Sequence, residues 1–130
     1  MAQQEVEMIL LRHLASYLAM PVFIADSQGD LVYFNEAAEA TLGRRFEETD
    51  QRPLSERLAA FNSSDEEGKP LPLDQLPIMI ALTERRPTHR RLWIHGLDGI
   101  PRLIEATAFP LIGQADRFLG AVAIFWEIDR

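Results

Sequence analysis

Residues 21–43 read Pro-Val-Phe-Ile-Ala-Asp-Ser-Gln-Gly-Asp-Leu-Val-Tyr-Phe-Asn-Glu-Ala-Ala-Glu-Ala-Thr-Leu-Gly, and this stretch decides the fold. Two β-rich runs, 21–26 and 30–34, flank a glycine-containing turn, a pattern that predicts a hairpin. Asn35 follows at once and favours a helix N-cap, because its side-chain oxygen can accept an early backbone N–H. The helix that follows is expected to end before Gly43, the residue type that closes helices in the left-handed conformation.

The segment before this hairpin predicts a helix over residues 5–20, because it contains neither Gly nor Pro and is followed by Pro21. Its apolar residues are too many for one stripe, so the helix is expected to have partners on more than one side. One reading is that it packs only on its own domain, and the other is that it also packs on a second copy. The residues at helical spacing on one side are Val6, Leu10, Leu14, Tyr17 and Leu18, and the apolar surface continues over Met8, Leu11 and Ala15.

The chain after Gly43 predicts a loop-rich region, a helix and three further strands. Residues 44–73 are polar and proline-bearing, with one short helix over 54–61 and an exposed loop over 62–70. Asp74 is interpreted as the cap of a helix that stops before Pro87, and turn residues separate predicted strands at 88–95, 102–109 and 118–127. The simplest fold for this order of helices and strands is a five-stranded antiparallel sheet with helices over one face, so the predicted fold class is α+β.

Composition excludes several classes of function. The chain has 130 residues and no cysteine, which excludes disulfides, cysteine–zinc sites, iron–sulfur clusters and thiol nucleophiles. Thirteen Lys and Arg against twenty Asp and Glu give a net charge of −7, which disfavours binding to nucleic acid. No apolar run approaches the length of a membrane span, and the N-terminus lacks the basic start of a signal peptide. The chain is therefore interpreted as cytoplasmic, with no membrane partner.

Residues for catalysis or metal binding are not arranged in any recognisable pattern. The three histidines, His13, His89 and His95, lack ligand spacing, so no metal site is predicted. No serine lies in a nucleophile-elbow motif and no glycine-rich phosphate loop occurs. The basic run 83–91 is interpreted as a solvated helix end and strand edge rather than a phosphate site. We therefore expect a protein without catalytic activity and without a cofactor.

The order of elements and their local sequences resemble a PAS domain, the sensor module of bacterial kinases and other signalling proteins. Residues 23–39 resemble the first hairpin and the asparagine-capped helix of that family. The other similar segments are Gly68–Pro77 with Ala81, Leu82 and Pro87, the turn Asp98-Gly99, and Phe109–Leu111 with 119–129, which ends in Glu127-Ile128-Asp129, a variant of the closing signature of the family. The resemblance spans residues 21–129. It implies a sensory and dimerisation module in signal transduction, such as a two-component system.

The resemblance also limits the cofactor. The flavin-photosensing relatives use a cysteine after the capped helix, and residues 43–49 contain none. Haem-binding relatives commonly use a histidine from the helix before the third strand, and residues 74–86 contain none. Two alternatives stay open: a small enzyme or ligand-binding protein of the nuclear-transport-factor-like cone fold, and a GAF-like sensor.

Strand alternation predicts which residues face the core. On the second meander strand, Glu105 and Thr107 mark the polar face, so Ile104, Ala106 and Ala108 should point inward. The family's parity implies that Leu119, Ala121, Ala123 and Phe125 also face inward on the last strand. The alanines either admit the helix that carries Leu76 closely or border a pocket for a small apolar ligand. The candidate ligand-binding residues are Met79, Ile80, Leu92, Ile94, Ile104, Ala106, Ala121, Ala123 and Phe125.

The opposite face of the sheet is too apolar to be exposed to water, and the N-terminal helix is the only unassigned element that could cover it. The resemblance implies a homodimer that forms through this helix beside the sheet. Residues 1–20 are thus predicted as an amphipathic dimerisation helix and 21–130 as the sensor domain, with a downstream signalling domain or protein as a further partner. The candidate interface joins the helix residues Val6, Leu10, Leu14, Tyr17 and Leu18 to the sheet residues Trp93, Val122, Ile124 and Trp126.

Overall fold

A computed structural model describes residues 2–43, 54–95 and 98–128. The elements run in the order α1 (Ala2–Ser16), β1 (Val22–Asp26), β2 (Leu31–Phe34), α2 (Glu36–Leu42), α3 (Leu54–Ala59), α4 (Pro77–Thr83), β3 (Thr88–His95), β4 (Pro101–Ile112) and β5 (Phe118–Glu127). Short 3₁₀ turns lie at Leu73–Gln75 and Gln114–Asp116. The expectations for residues 44–53, 96–97 and 129–130 fall outside the described residues.

The strands form one antiparallel sheet in the order β2-β1-β5-β4-β3. Alternating side chains divide the buried residues into two clusters, one on each face. The inner cluster joins the sheet to α2 and α4 and includes Leu92, Ile104, Ala106 and Phe125. The outer cluster joins the sheet to α1. The predicted α+β fold, with helices on one face and the N-terminal helix on the other, is confirmed.

The local signals of residues 21–43 act as predicted. Asn35 is in an extended conformation, and its side-chain oxygen accepts a hydrogen bond from the N–H of Ala38, so it is the N-cap of α2. Gly43 ends that helix with φ of 75°, a left-handed conformation that glycine adopts at little cost.

Four helix boundaries differ from the prediction. Helix α1 begins at Ala2 rather than residue 5, and α3 ends at Ala59 rather than residue 61. The N-terminal helix ends at Ser16 rather than residue 20, because the carbonyls of Ala15, Leu18 and Met20 all turn towards the Asn35 amide. The helix predicted from Asp74 begins at Pro77 instead. The residue before a proline is held in an extended conformation, and Leu76 adopts ψ of 140° there.

Residues 62–70 form a mostly exposed loop, as predicted, but Ser64 within it is buried and bridges both Pro70 and Trp93. One further prediction is wrong. Leu119 lies in the outer cluster rather than on the inner face. The reason is a bulge: Leu111 pairs with Gly120 and Ile112 with Phe118, so Leu119 is an extra residue that shifts the alternation.

Candidate functional site

A cavity of about 70 Å³ lies between the inner face of the sheet and the helical side of the domain. A single water needs roughly 10–15 Å³ by this measure, so the space holds a molecule of several heavy atoms. Among the described residues, the lining is apolar apart from Ser63 and includes no charged side chain. The lining residues are Phe23, Leu42, Leu58, Phe61, Ser63, Leu76, Pro77, Ile78, Leu92, Ile94, Ile104, Ala106, Ala123 and Phe125.

The cavity brings together most of the residues that the sequence analysis assigned to a ligand pocket. Those that line it are Leu92, Ile94, Ile104, Ala106, Ala123 and Phe125, whereas Met79, Ile80 and Ala121 do not. Because α4 begins at Pro77, its buried side turns Pro77, Ile78 and Ala81 towards the core and leaves Met79 and Ile80 half-buried. Ala121 is fully buried in the inner cluster without bordering the cavity.

The sequence analysis missed the wall that α2 and the region around α3 contribute. Leu42, Leu58 and Phe61 come from segments with no strand alternation to indicate their orientation. The available signal was the asparagine cap, because a helix that starts at Asn35 and ends at Gly43 places Ala38 and Leu42 on one side at helical spacing.

The alanines of β4 and β5 have two different roles. Helix α4 packs on these two strands, and there Ala81 and Ala108 have no exposed surface. At this end the small side chains admit the helix closely. Ala106 and Ala123 instead border the cavity, which separates them from the described helices. The sequence analysis offered two interpretations of the alanine face, close packing on the helix or a pocket. Each applies to a different part of that face.

An ion pair between Asp98 and Arg102 lies at the start of β4, beside the end of α2. Both guanidinium nitrogens of Arg102 donate to the carboxylate, at 2.9 and 3.2 Å, and the backbone N–H of Ile100 donates to it at 3.1 Å. The hydrogen bonds from Arg102, with that of Ile100, lower the pKa of Asp98 below its usual 3.8. A Cβ atom on Gly43 would lie 3.0 Å from the Asp98 carboxyl carbon, so this pair packs closely on the end of α2.

Helix α1 covers the outer face with the side that carries Met8, Leu11 and Ala15. These side chains pack in one cluster with Val22, Ile24, Leu119 and Val122, and Ile124 packs against it. An ion pair from Glu7 to Arg117 joins the same helix to the β4–β5 connection. Val122 and Ile124, two residues of the predicted interface, therefore lie against the chain's own α1.

The other side of α1 is exposed, as is the turn that follows it. The exposed residues are the predicted interface residues Val6, Leu10 and Leu14 of the helix and Tyr17 and Leu18 just beyond its end, with exposed fractions from 42% to 77%, and also Ile9 at 61%. We call Val6, Ile9, Leu10, Leu14 and Tyr17 the α1 stripe. Trp93 and Trp126, the remaining predicted interface residues, are half-buried on the outer face but are not part of the α1 cluster.

Asn35 connects α1 to the rest of the domain. Its side chain is fully buried, and its oxygen accepts from the N–H of Val22 and of Ala38, each at 3.0 Å. Its amide nitrogen donates to the carbonyls of Ala15 and Met20, each at 2.9 Å, and to that of Leu18 at 3.4 Å. One side chain therefore links the end of α1, the start of β1 and the start of α2.

Metal sites and membrane-spanning helices were also considered among the described residues 2–43, 54–95 and 98–128. No group of three His, Asp or Glu side chains there is placed to hold a metal ion. Among the helices described, none has both the length and the apolar character that crossing a bilayer requires.

Comparisons with known proteins agree with this architecture. The family model described as "PAS fold" matches residues 10–128. The chain is similar in structure to the PAS domain of Bordetella pertussis BvgS, with a TM-score of 0.69, 17% identity and coverage of 96% of this chain and 88% of that one. It is similar to the PAS domain of nitrogen regulation protein NR(II) from Vibrio parahaemolyticus, with a TM-score of 0.62, 20% identity and coverage of 92% and 98%.

The PAS domain of the fruit-fly ELK potassium channel is also similar, with a TM-score of 0.70, 16% identity and coverage of 96% of this chain and 98% of that one. No curated protein matches the sequence. Identities this low carry information on the fold alone. The fold that they support is the five-stranded sheet with flanking helices described above.

Proposed function

This chain belongs to the PAS family, and from that premise we propose that it is a non-catalytic sensor that binds a small apolar ligand and dimerises through α1. PAS domains are sensory modules of signalling proteins; they are generally non-catalytic and commonly dimerise. The observation that carries the proposal is the apolar cavity of about 70 Å³ on the inner face of the sheet. An apolar molecule there would leave water without giving up strong hydrogen bonds.

The lining limits the chemistry of the ligand. A charged group would lose its hydration without a charged partner, because none of the described side chains that line the cavity is charged. Ser63 offers one hydroxyl, which can donate or accept a single hydrogen bond. The ligand is therefore a compact hydrocarbon or aromatic molecule with at most one polar group.

A short path connects the cavity to α1. Phe23 on β1 lines the cavity, and the neighbouring Val22 donates its backbone N–H to Asn35. Asn35 in turn donates to three carbonyls at the end of α1. A ligand that displaces Phe23 would change the position of β1 and, through Asn35, the position of the helix end. In this mechanism the dimer responds to the occupant of the cavity.

The α1 stripe supports dimerisation with a second copy of this chain. Its large apolar side chains lie in one row on the side of the helix that faces away from the sheet. Monomeric soluble proteins rarely expose contiguous apolar surface of this kind. A second α1 offers the same stripe, and two such stripes can bury each other in a symmetric interface.

Binding of benzene, followed by NMR of the ¹⁵N-labelled chain, tests the ligand site. Benzene is a suitable probe because dry apolar cavities in proteins accept it. We expect shifts at Phe23, Ala106 and Ala123, and their loss in Ala123→Leu, where the new side chain fills the space. Ala40→Leu, on an exposed position of α2, is the matched control and should keep them. No shift at the cavity residues up to the solubility limit of benzene contradicts the ligand site.

Light scattering on the full chain tests the dimer. The expected mass is twice the chain mass of 14.8 kDa, and Leu10→Glu with Leu14→Glu should reduce it to a single chain mass. Ala40→Glu with Thr83→Glu adds the same charge at exposed positions outside α1 and should keep the dimer. Deleting the helix is a poorer test, because it would also uncover the outer cluster and leave the Asn35 amide without its acceptors. A stripe variant that keeps the dimer mass contradicts the proposed interface.

A further inference from the structure

Strand β3 forms one edge of the sheet, and part of that edge already pairs with another segment. Ser64 and Trp93 exchange two backbone hydrogen bonds, at 2.9 and 2.8 Å, and the N–H of His95 donates to Phe61 at 2.8 Å. Alternate residues of a strand direct their backbone groups to the same side. The N–H and C=O groups of His89 and Arg91 therefore point to the same outer edge as those of Trp93.

No strand pairs with this edge at residues 88–92 within the part of the chain that the structure describes. A groove of about 410 Å³ runs beside it. One wall is β3 itself, and the other is the tip of the turn at 65–67 that follows Ser64. The residues that line the groove are Asp65, Glu66, Glu67, His89, Arg90, Arg91 and Glu105.

The turn that forms the second wall is held in place by its own hydrogen bonds. The carboxylate of Asp65 accepts from the backbone N–H groups of Glu67 and Lys69, each at 2.9 Å. The carbonyl of Lys69 also accepts from the N–H of Asp65 at 2.8 Å. Among the described residues, no backbone hydrogen bond joins this turn to β3 beyond the Ser64–Trp93 pair, so the outward backbone groups of His89 and Arg91 have no described backbone partner.

Charge is separated along the groove. Arg90 has no ion-pair partner among the residues described, and Arg91 has only a 3.8 Å contact with Glu105, whose carboxylate is already 2.9 Å from His89. The tip of the turn carries Glu66 and Glu67, both exposed. The strand end of the groove is therefore positive, and the turn end is negative.

We propose that the outer edge of β3 at residues 88–92 binds an extended peptide segment of a partner protein, which adds to the sheet as an antiparallel strand. The segment continues the ladder that Ser64 begins, with its amino end beside the turn. A basic residue at that end lies near Glu66 and Glu67, and two successive acidic residues lie opposite Arg91 and Arg90. Backbone hydrogen bonds supply affinity, and the charges select the partner and its register.

A second copy of the same edge does not fit this groove. A symmetric β3–β3 pairing would place Arg90 and Arg91 near their own copies, and like charges on neighbouring strands destabilise the pair. Charged side chains also protect sheet edges from indiscriminate pairing. A segment with the complementary charge order is therefore favoured over other strands.

The test uses the full ¹⁵N-labelled chain and the capped peptide acetyl-Lys-Glu-Glu-Val-Thr-amide, which begins beyond the register position that Ser64 occupies. On binding, the amides of His89 and Arg91 should exchange with solvent about tenfold more slowly, because each gains a backbone partner. The amides of Thr88 and Leu92 face β4 and should change little, so they are internal controls.

Two N-methylated peptides separate strand addition from simple charge attraction. The first glutamate, opposite Arg91, directs its N–H to β3, so methylation there should abolish binding. The second glutamate, opposite Arg90, directs its N–H away, so the same methylation there should keep it. Equal binding of both methylated peptides, or no slowing at His89 and Arg91, overturns the proposal.

Charge reversal provides a second test on the protein side. Arg90→Glu with Arg91→Glu should weaken the original peptide by about tenfold or more, because two attractive pairs become like-charge contacts. The same variant should gain binding to acetyl-Lys-Lys-Lys-Val-Thr-amide, which keeps the lysine near Glu66 and Glu67 and places two lysines opposite the new glutamates. If the variant folds as the parent chain does but still binds the original peptide more tightly than the lysine peptide, the assigned register is wrong.

Discussion

The inner face of the sheet packs on the chain's own helices around a cavity, whereas α1 is the one described helix that covers the outer face. On the inner face, α2, α4 and Phe61 join the sheet in one buried cluster. On the outer face, α1 buries Val122 and its neighbours but exposes the α1 stripe to solvent, and it does not cover Trp93 or Trp126 completely.

This difference is the basis of the two partners proposed above. The cavity is the proposed site of a small molecule, because only a small molecule fits inside a packed domain. The exposed side of α1 is the proposed site of a second copy, because another surface can bury its apolar side chains. One strand serves both faces, since Ala123 borders the cavity and the adjacent Val122 lies under α1.

The largest expected effect is at Asn35, which joins the two faces. Asn35→Ala should lower the free energy of unfolding by about 3 kcal/mol, because it removes a helix cap and leaves several buried backbone groups without partners. Asn35→Ser is the matched variant, since its hydroxyl can still cap α2 but cannot reach the end of α1. Urea unfolding measures both. A loss below about 1 kcal/mol for Asn35→Ala would mean that the faces are not coupled through this side chain.

The next effect distinguishes the two sides of α1. Met8→Ala should cost about 2 kcal/mol, because a buried side chain is removed from the outer cluster. Leu10→Ala, on the α1 stripe, should change the stability of the monomer by less than about 0.5 kcal/mol. Both are measured by urea unfolding in a Leu14→Glu background, where we expect the proposed dimer not to form. Equal losses at the two positions would show that the helix has no preferred side.

A pair of alanines tests the inner face. Ala108→Leu should cost about 1–3 kcal/mol, because it overfills the contact with α4. In Ala123→Leu the added carbons enter the cavity, where burial gains up to about 2 kcal/mol and side-chain ordering costs about 0.5–1 kcal/mol. The net change should be near zero or stabilising. Denaturant midpoints at unchanged slope measure the difference. A loss above about 1 kcal/mol at Ala123 would mean that no cavity exists at that position.

The smallest effect concerns the ion pair of Asp98 and Arg102. The hydrogen bonds from Arg102 lower the pKa of Asp98 below 3.8, so the folded state favours the carboxylate. This stabilisation is complete above the unfolded pKa of about 3.8 and is lost as pH falls through the lower folded value. The stability difference between the parent chain and Asp98→Asn should therefore shrink below pH 3.8. Because Asp98 is exposed, we expect this stability difference to be small. A stability difference that grows as the pH falls would contradict the lowered pKa of Asp98.

Much of the fold follows from local sequence signals. The hairpin at 21–34, the asparagine cap and the glycine C-cap depend on residues close together in the chain, and all three have the predicted form. The strands β3 and β5 have their predicted bounds, because alternation and turn residues mark both ends. Six of the nine predicted ligand-site residues line the cavity, since strand alternation determines which side chains share a face.

The rest depended on contacts between distant segments. Local signals cannot show that the Asn35 amide donates hydrogen bonds to the carbonyls of Ala15, Leu18 and Met20. The end of α1 was therefore predicted too late in the chain. The register of α4 depends on Pro77, and the bulge at Leu119 depends on how β4 and β5 pair.

The sequence by itself determined the order of the elements, the polarity of each strand face and the absence of cysteine chemistry, because these depend on residue types and their spacing. Only the tertiary structure decided which alanines meet α4 and which border the cavity. It also decided which side of α1 faces the sheet and which part of the β3 edge stays open. These features depend on the distances at which separate segments pack, and such distances follow from the fit of all side chains together.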